Sequence, residues 1–256
     1  MNILAIGDIV SQNGASYVKK KLGTLKKEYN IDFVIANGEN VCQGNGLTTS
    51  EANELLKSGI DVITLGNHAF RKKEIVNALL NKNCVIRPAN FPEGTVGNGY
   101  TVLNCGSKRI VVVNLIGRMN LMTVDCPFKK ADKILFELKN KCDIIVVDFH
   151  ADATSEKLAM GYYLDGRASA VFGTHTHVQT ADEMILPKGT GYISDVGMTG
   201  PEDSVLGVKK EIIIKRFITS MPQKFEAADG KQKLCGVIFE FDDESNKCID
   251  VKRIKL

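Results

Sequence analysis

What constrains this chain most is the way its apolar runs end. Residues 2–7 form a short apolar run that closes on Gly7-Asp8; residues 32–37 lead into Gly38-Glu39-Asn40, and residues 61–65 into Gly66-Asn67-His68. Between these runs lie segments with helical spacing. Residues 15–27 place Val18, Leu22 and Leu25 on one face against lysines on the other. Residues 48–56 open on the capping candidates Thr48 and Thr49, and residues 72–80 form a third helix. Strands alternating with helices in this order predict a sheet with helices packed on it.

The second half carries more antiparallel signals. Residues 100–104 and 109–115 flank the polar turn Gly106-Ser107-Lys108 and read as a hairpin. A helix is predicted over 128–141, with Ile134, Leu135 and Leu138 on one side, and strands over 143–149, 169–172 and 191–194. Residues 208–218 fit strand and helix patterns equally. Residues 234–241 and 248–254 close the chain as a hairpin around the turn from Asp242 to Asn246. No linker, repeat or break in composition divides the 256 residues, a length one α/β domain can reach. The expectation is a single domain over 1–256, with two sheets packed together and helices outside.

Charge and cysteine usage narrow the function classes. A net charge of +3 without a basic block argues against bulk nucleic-acid binding. Lys19-Lys20-Lys21 reads as a solvated helix face. The seven cysteines are odd in number, form no C-x-x-C pair and sit partly inside apolar runs, as buried thiols of a reducing compartment do. The chain opens directly on a strand pattern without a signal segment, and no apolar run approaches the roughly 20 residues that span a bilayer. A cytoplasmic protein that does not enter the membrane is expected.

The chain has four histidines, and each lies at a strand end: His68, His150, and the pair in Gly173-Thr174-His175-Thr176-His177. Strand C-terminal ends are where α/β sheets build sites. In an extended segment His175 and His177, one residue apart, project to the same side. Glu39 is an anionic oxygen donor able to bridge two cations, Asp8 adds a second negative charge, and Asn40 and Asn67 offer neutral amide oxygens. A mixed nitrogen and oxygen set without thiolate suits iron, manganese or zinc and argues against a structural zinc site. Two ions about 3.5–4 Å apart activate a water and neutralise phosphoryl oxygens. His68, beside Asn67 on the same turn, is placed to protonate a leaving group, with an orienting role for a ligand as the alternative.

These motifs resemble the five signature blocks of the calcineurin-like metallophosphoesterases: Gly7-Asp8, Gly38-Glu39-Asn40, Gly66-Asn67-His68, the isolated His150, and Gly173-Thr174-His175-Thr176-His177. More closely, the chain is similar to the bacterial YmdB-like subgroup through residues 148–157, residues 194–201 and Arg87-Pro88-Ala89-Asn90, and the similarity covers essentially the whole chain. The resemblance implies a four-layer αββα sandwich of two mixed sheets flanked by helices. It implies two metal ions per chain, usually iron, one held by Asp8, Glu39, Asn40 and His177 and the other by Glu39, Asn67, His150 and His175. It further implies hydrolysis of phosphodiesters, notably 2′,3′-cyclic nucleotides such as 2′,3′-cAMP, with His68 catalytic, and a homo-oligomer.

The match is not complete. The wider superfamily carries Asp-x-His in its first block, whereas Val10 stands at the third position here, and Asn40 is the candidate replacement ligand. Ser11-Gln12 replace the subgroup's usual glycine and basic residue, and Asp152 stands where glutamate is frequent; neither change touches a proposed ligand. Gly44-Asn45-Gly46 reads as a turn or as a backbone approach to phosphate. Thr154 or Ser155 is expected to cap a helix, Arg87 and Arg118 are phosphate-contact or structural candidates, and Asp195 is a candidate for orienting a ligand histidine. The leading function is a metal-dependent phosphodiesterase using a metal-activated water. The alternatives are a phosphomonoesterase such as a nucleotidase, or a regulatory, RNA-associated scaffold with a structural metal site.

Overall fold

The structure, a computed structural model, describes residues 1–43 and 45–256. The first half runs β1 (Asn2–Ile6), β2 (Asp8–Ile9), α1 (Ser11–Glu28), β3 (Phe33–Asn37), α2 (Thr49–Lys57), β4 (Val62–Thr64), α3 (Ile75–Asn81) and β5 (Val85–Ile86). The second half runs β6 (Tyr100–Cys105), β7 (Lys108–Ile116), α4 (Pro127–Leu138), β8 (Ile144–His150), α5 (Thr154–Leu164), β9 (Ala170–Thr174), β10 (Met184–Ile185), β11 (Gly191–Ile193), β12 (Met198–Pro201), α6 (Lys210–Thr219), β13 (Gln232–Lys233), β14 (Cys235–Phe241) and β15 (Cys248–Lys255).

Two six-stranded mixed sheets result, ordered β15-β14-β1-β3-β4-β5 and β10-β11-β9-β8-β7-β6, with a small third sheet β13-β12-β2. β1, β3, β4 and β5 are parallel, as are β7, β8, β9 and β11, so their C-terminal ends gather at one edge of each sheet. Side chains alternate along each strand. Ile3 and Ala5 of β1 and Phe33 and Ile35 of β3 enter the layer between the sheets, where Ile110, Val112, Ile144, Val146 and Phe172 meet them. Leu4, Ile6, Val34 and Ala36 face outward onto Val18, Leu22, Leu25 and Leu55 of α1 and α2. Val111, Val113, Val147 and Phe149 face outward onto Ala131, Ile134 and Met160 of α4 and α5. With both faces covered, these strands read as continuous apolar runs, and the expected αββα layering is the observed one.

Several local expectations shift. α1 starts at Ser11, ahead of residue 15, because Gly14 packs directly on the β12 backbone, where a Cβ would sit 2.5 Å from the Thr199 carbonyl oxygen. α3 starts at Ile75 because turns continue through residue 74, with Ala69 N–H donating to Gly66 O, Arg71 N–H to His68 O and Ile75 N–H to Lys72 O. The ambiguous stretch at 208–218 is mostly the helix α6, which begins at Lys210, while Val208 forms isolated bridges to Val205 and Ala227. The expected cap on α2 is present: Thr48 and Glu51 form a reciprocal capping box. The expected cap on α5 is not, since Ala153 is the N-cap and makes no side-chain bond. The seven cysteines are all free, and among the described residues no helix is long and apolar enough to cross a membrane.

Candidate metal centre

The strand alternation that builds the layer between the sheets also builds the site. Continuing the inward positions of β3 and β8 to their ends gives Asn37, Asp148 and His150; the same continuation gives Thr64 on β4, Asn114 on β7 and Thr174 on β9. The layer therefore turns from apolar to polar at the C-terminal edge, and all six residues are fully buried. Five of them satisfy one another, as buried polar groups must; Asn114 instead accepts the Leu65 N–H through Oδ1 and leaves its Nδ2 without a partner. The Asp148 carboxylate accepts from Thr174 Oγ1 at 2.7 Å, from Thr64 Oγ1 and from Asn37 Nδ2. Thr174 Oγ1, its proton directed to Asp148, lies 2.9 Å from His150 Nδ1 and accepts from it. That bond leaves His150 Nε2 as the atom presented to the site.

Above this floor the seven expected ligands converge in two touching groups. In the first, His150 Nε2 lies 3.0 Å from Glu39 Oε1, 3.0 Å from Asn67 Oδ1 and 3.1 Å from His175 Nδ1. Glu39, His150 and His175 each offer one ligand atom, and those atoms lie within 4.8 Å of one another. In the second, Asn40 Nδ2 is 3.2 Å from both Asp8 Oδ1 and His177 Nε2, and His177 Nε2 is 3.5 Å from Asp8 Oδ1. The groups are tied by the His175 N–H, which donates to Asp8 Oδ2 at 3.0 Å. His68 sits on the edge of Glu39: its backbone N–H donates to Oε2 at 3.0 Å, and its ring Nδ1 lies 3.1 Å from Oε1. The position before Asn67 must be glycine, since a Cβ on Gly66 would fall 2.3 Å from Glu39 Oε2 and from His150 Nε2.

Charge explains how such a cluster stays folded. Burial opposes ionisation of Glu39, yet His150 and His68 beside it hold its carboxyl well below the usual range. Burial likewise opposes Asp8, and His177 with His150 outweighs it in the same direction. Burial also opposes the charge on His150, but Glu39, Asp8 and Asp148 around it carry it up to about 9. His175 moves the other way, to about 4, through burial and the neighbouring positive His150. Burial raises Asp148 to about 6. Buried carboxylates are thus balanced by protons on imidazoles, which is the positive charge a metal ion supplies when it displaces those protons.

Other candidates resolve against their neighbours. Asp8 is the first residue of β2, pairing with Met198, and is not in a loop. Arg87 is a structural residue: its guanidinium donates to the carbonyls of Val96, Pro88 and Thr95. Arg118 is exposed on a hollow of about 870 Å³ with Met119, Met122 and Phe128, and its backbone N–H donates to Glu156. Gly44 lies outside the described residues, while Asn45 Nδ2 rests 3.1 Å from His68 Nε2 and Gly46 packs on Arg71 and Lys72. Ser11 adopts φ 65° and Gln12 pairs with Glu51. Asp195 touches no histidine ring; its carboxylate takes the Thr176 N–H and hydroxyl and the Lys157 ammonium. Sequence reasoning passed over Asp148, Thr174, Asn37 and Lys157. The available signal for the first three was a polar residue at an inward position of an otherwise apolar strand.

The chain has close relatives. A family model described as YmdB-like protein matches residues 4–254. The chain is 52% identical to a 2′,3′-cyclic-nucleotide 2′-phosphodiesterase of Bacillus subtilis (strain 168), covering 99% of this chain and 96% of that protein. Its fold superposes on a crystal structure of a novel phosphatase from Mycoplasma pneumoniae with a TM-score of 0.94 at 36% identity, over 100% of this chain and 93% of the other. A hypothetical protein from Thermus thermophilus gives a TM-score of 0.94 at 41% identity, over 100% and 99% of the two chains.

Proposed function

Because this chain belongs to the YmdB-like family, we propose that it is a dinuclear metal-dependent phosphodiesterase acting on 2′,3′-cyclic nucleotides. The observation that carries the proposal is the pair of donor groups meeting around Glu39 and Asp8, with His68 on their rim. The residues fit two metal ions. Three imidazoles, two carboxylates and the amides of Asn40 and Asn67 form a thiolate-free set that suits iron, manganese or zinc, once the Asn40 amide turns its oxygen to where Nδ2 lies against Asp8 and His177. Their carboxylates are held ionised, and Gly66 leaves room that a side chain would fill. Asp8, Asn40 and His177 would hold one ion, Asn67, His150 and His175 the other, and Glu39 would serve both.

When bound, the metals supply a water of lowered pKa and positive charge against the phosphoryl oxygens. The protein's own residues do the rest. Opening the cyclic diester at the 2′ position adds water at phosphorus, breaks the P–O2′ bond and leaves the monoester on O3′. The departing O2′ needs a proton, and His68 is the titratable side chain on the open rim of the cluster. Thr174 and Asp148 hold the His150 ring in the tautomer that faces inward.

The test is hydrolysis of 2′,3′-cAMP and bis-p-nitrophenyl phosphate by protein whose metal content is measured on the same sample. Two metals per chain and diester turnover abolished by chelation support the reading. Two metals with turnover of monoesters alone would replace it with the phosphatase reading, for which the relative from Mycoplasma pneumoniae is the precedent. A homo-oligomer is part of the proposal. The surface it would cover lies on and beside α6, where Phe217 and Ile218 are 79% and 78% exposed with Ile214 and Met221 next to them; sedimentation of the wild type against Phe217→Asp tests it.

A further inference from the structure

The metal reading leaves one buried ion pair without a task. Lys157 and Asp195 are 3% and 1% exposed, and Nζ lies 2.7 Å from Oδ2. Neither belongs to the floor beneath His150. A buried pair is weak evidence for stability, because desolvating two charges offsets much of their attraction. Its partners indicate another role. Asp195 Oδ2 also accepts the Thr176 N–H at 3.0 Å and the Thr176 hydroxyl at 2.7 Å. Asp195 Oδ1 accepts the Gly197 N–H at 2.8 Å, and the Gly197 carbonyl in turn accepts the Asp8 N–H at 3.1 Å.

Thr176 is the residue between His175 and His177. Both histidines have positive φ, 99° and 65°, in the region that disfavours a side chain. The segment does not hold this shape by local preference, so something outside it must. Asp195 grips it in the middle and, through its backbone N–H and C=O, grips it again at Thr180. Lys157 reaches the carboxylate from α5, the helix that follows His150, by running past Gly173. A Cβ there would sit 1.8 Å from Ser194 O and 3.0 Å from Lys157 Cδ. The two segments at 148–157 and 194–201, which share the family resemblance but contribute only His150 to the expected ligands, meet at this pair.

We propose that Asp195, neutralised by Lys157, is a positioning residue for the metal centre. It acts through the Thr176 backbone and Gly197 to fix His177 and Asp8 on one ion, and with less leverage His175 on the other. The inference rests on the dinuclear reading above. Every group facing the carboxylate is a donor, so an amide, with one acceptor oxygen and two N–H donors, cannot replace it.

The experiment is Mn2+ binding by equilibrium dialysis, with electron paramagnetic resonance of the loaded protein, for wild type and Asp195→Asn. Removing an interaction of this outer kind weakens metal affinity by about 10–100-fold. We expect a loss of that size for one Mn2+ of the two, a change from an exchange-coupled to a mononuclear manganese signal, and unchanged circular dichroism of the metal-free chain. Should Asp195→Asn fail to fold, Thr176→Val removes one of the four bonds while keeping the ion pair, and should weaken the same ion several-fold. A folded variant holding two ions at wild-type affinity with the coupled signal overturns the proposal. A wild-type chain that takes up no Mn2+ overturns the metal reading itself, which is a different result on the same instrument.

Discussion

The two donor groups are built by different means, save that His175 of the first shares the strained loop of His177. Glu39 and His150 follow or end long buried strands, and His150 stands on a floor of Asp148, Thr174, Asn37 and Thr64. Asp8, Asn40 and His177 have no such floor. Asp8 lies in a two-residue strand, Asn40 is held by a single bridge to Val10, and His177 sits in a left-handed turn with Nδ1 3.1 Å from the Leu206 carbonyl. Where strand geometry aims a side chain, alternation suffices. Where a loop aims it, distant groups must hold the backbone, at a strain of roughly 1–3 kcal/mol for each unusual residue.

The largest expected effect tests whether the groups share one centre. Glu39→Gln removes the carboxylate that His150 and His68 both contact, and should cost both ions and all measurable diester turnover. If one ion and turnover survive, the centre is two separate sites. Next comes His68→Ala, with a kcat lower by about 10²–10⁴-fold, the usual contribution of a general acid, and metal content unchanged. Loss of metal instead would place His68 among the ligands.

A pH series then separates the histidines. His150, raised to about 9, must give up a proton before it can ligate, while His175, lowered to about 4, is already neutral at pH 7. Metal affinity of the group around His150 should therefore rise with pH up to about 9 and level off above it, with proton release visible by calorimetry in buffers of different ionisation enthalpy. In the metal-free chain the sign reverses. The stability that charged His150 contributes is complete below its unfolded pKa and is lost as pH climbs through about 9. Flat affinity across this window would contradict the balance of buried carboxylates by imidazole protons.

The smaller effects concern support. Thr174→Val takes one hydrogen bond from Asp148 and one from His150, and should lower unfolding free energy by about 1–3 kcal/mol, read by denaturant titration. Thr48→Ala, which breaks the capping box on α2 without touching any donor, should cost about 1 kcal/mol and leave both ions in place.

Much of this was legible in the chain itself. The apolar runs at 2–7, 32–37 and 143–149 are strands because both their faces are covered, and continuous burial leaves continuous hydrophobicity in the sequence. The seven donors could be picked out because their types stand against apolar strand ends. β2, β10 and β13 could not, since a two-residue strand has no period, and α6 could not because residues 208–218 carry too mixed a pattern. Asp195 was legible as a candidate for orienting a ligand histidine, but that its bonds go to the backbone between two histidines was not, because backbone partners leave no trace in residue type.

The sequence by itself determined the layers, the edge at which chemistry gathers and the kinds of atoms offered there, because strand and helix periods are local properties. The tertiary structure decided which donors come together, which acid lies beneath His150 and which lysine lies behind Thr176. Asp8 meets the His175 N–H across 167 positions of sequence, and Lys157 meets Asp195 across 38. Contacts of that range are set by how the two sheets pack on each other, and no local period encodes them.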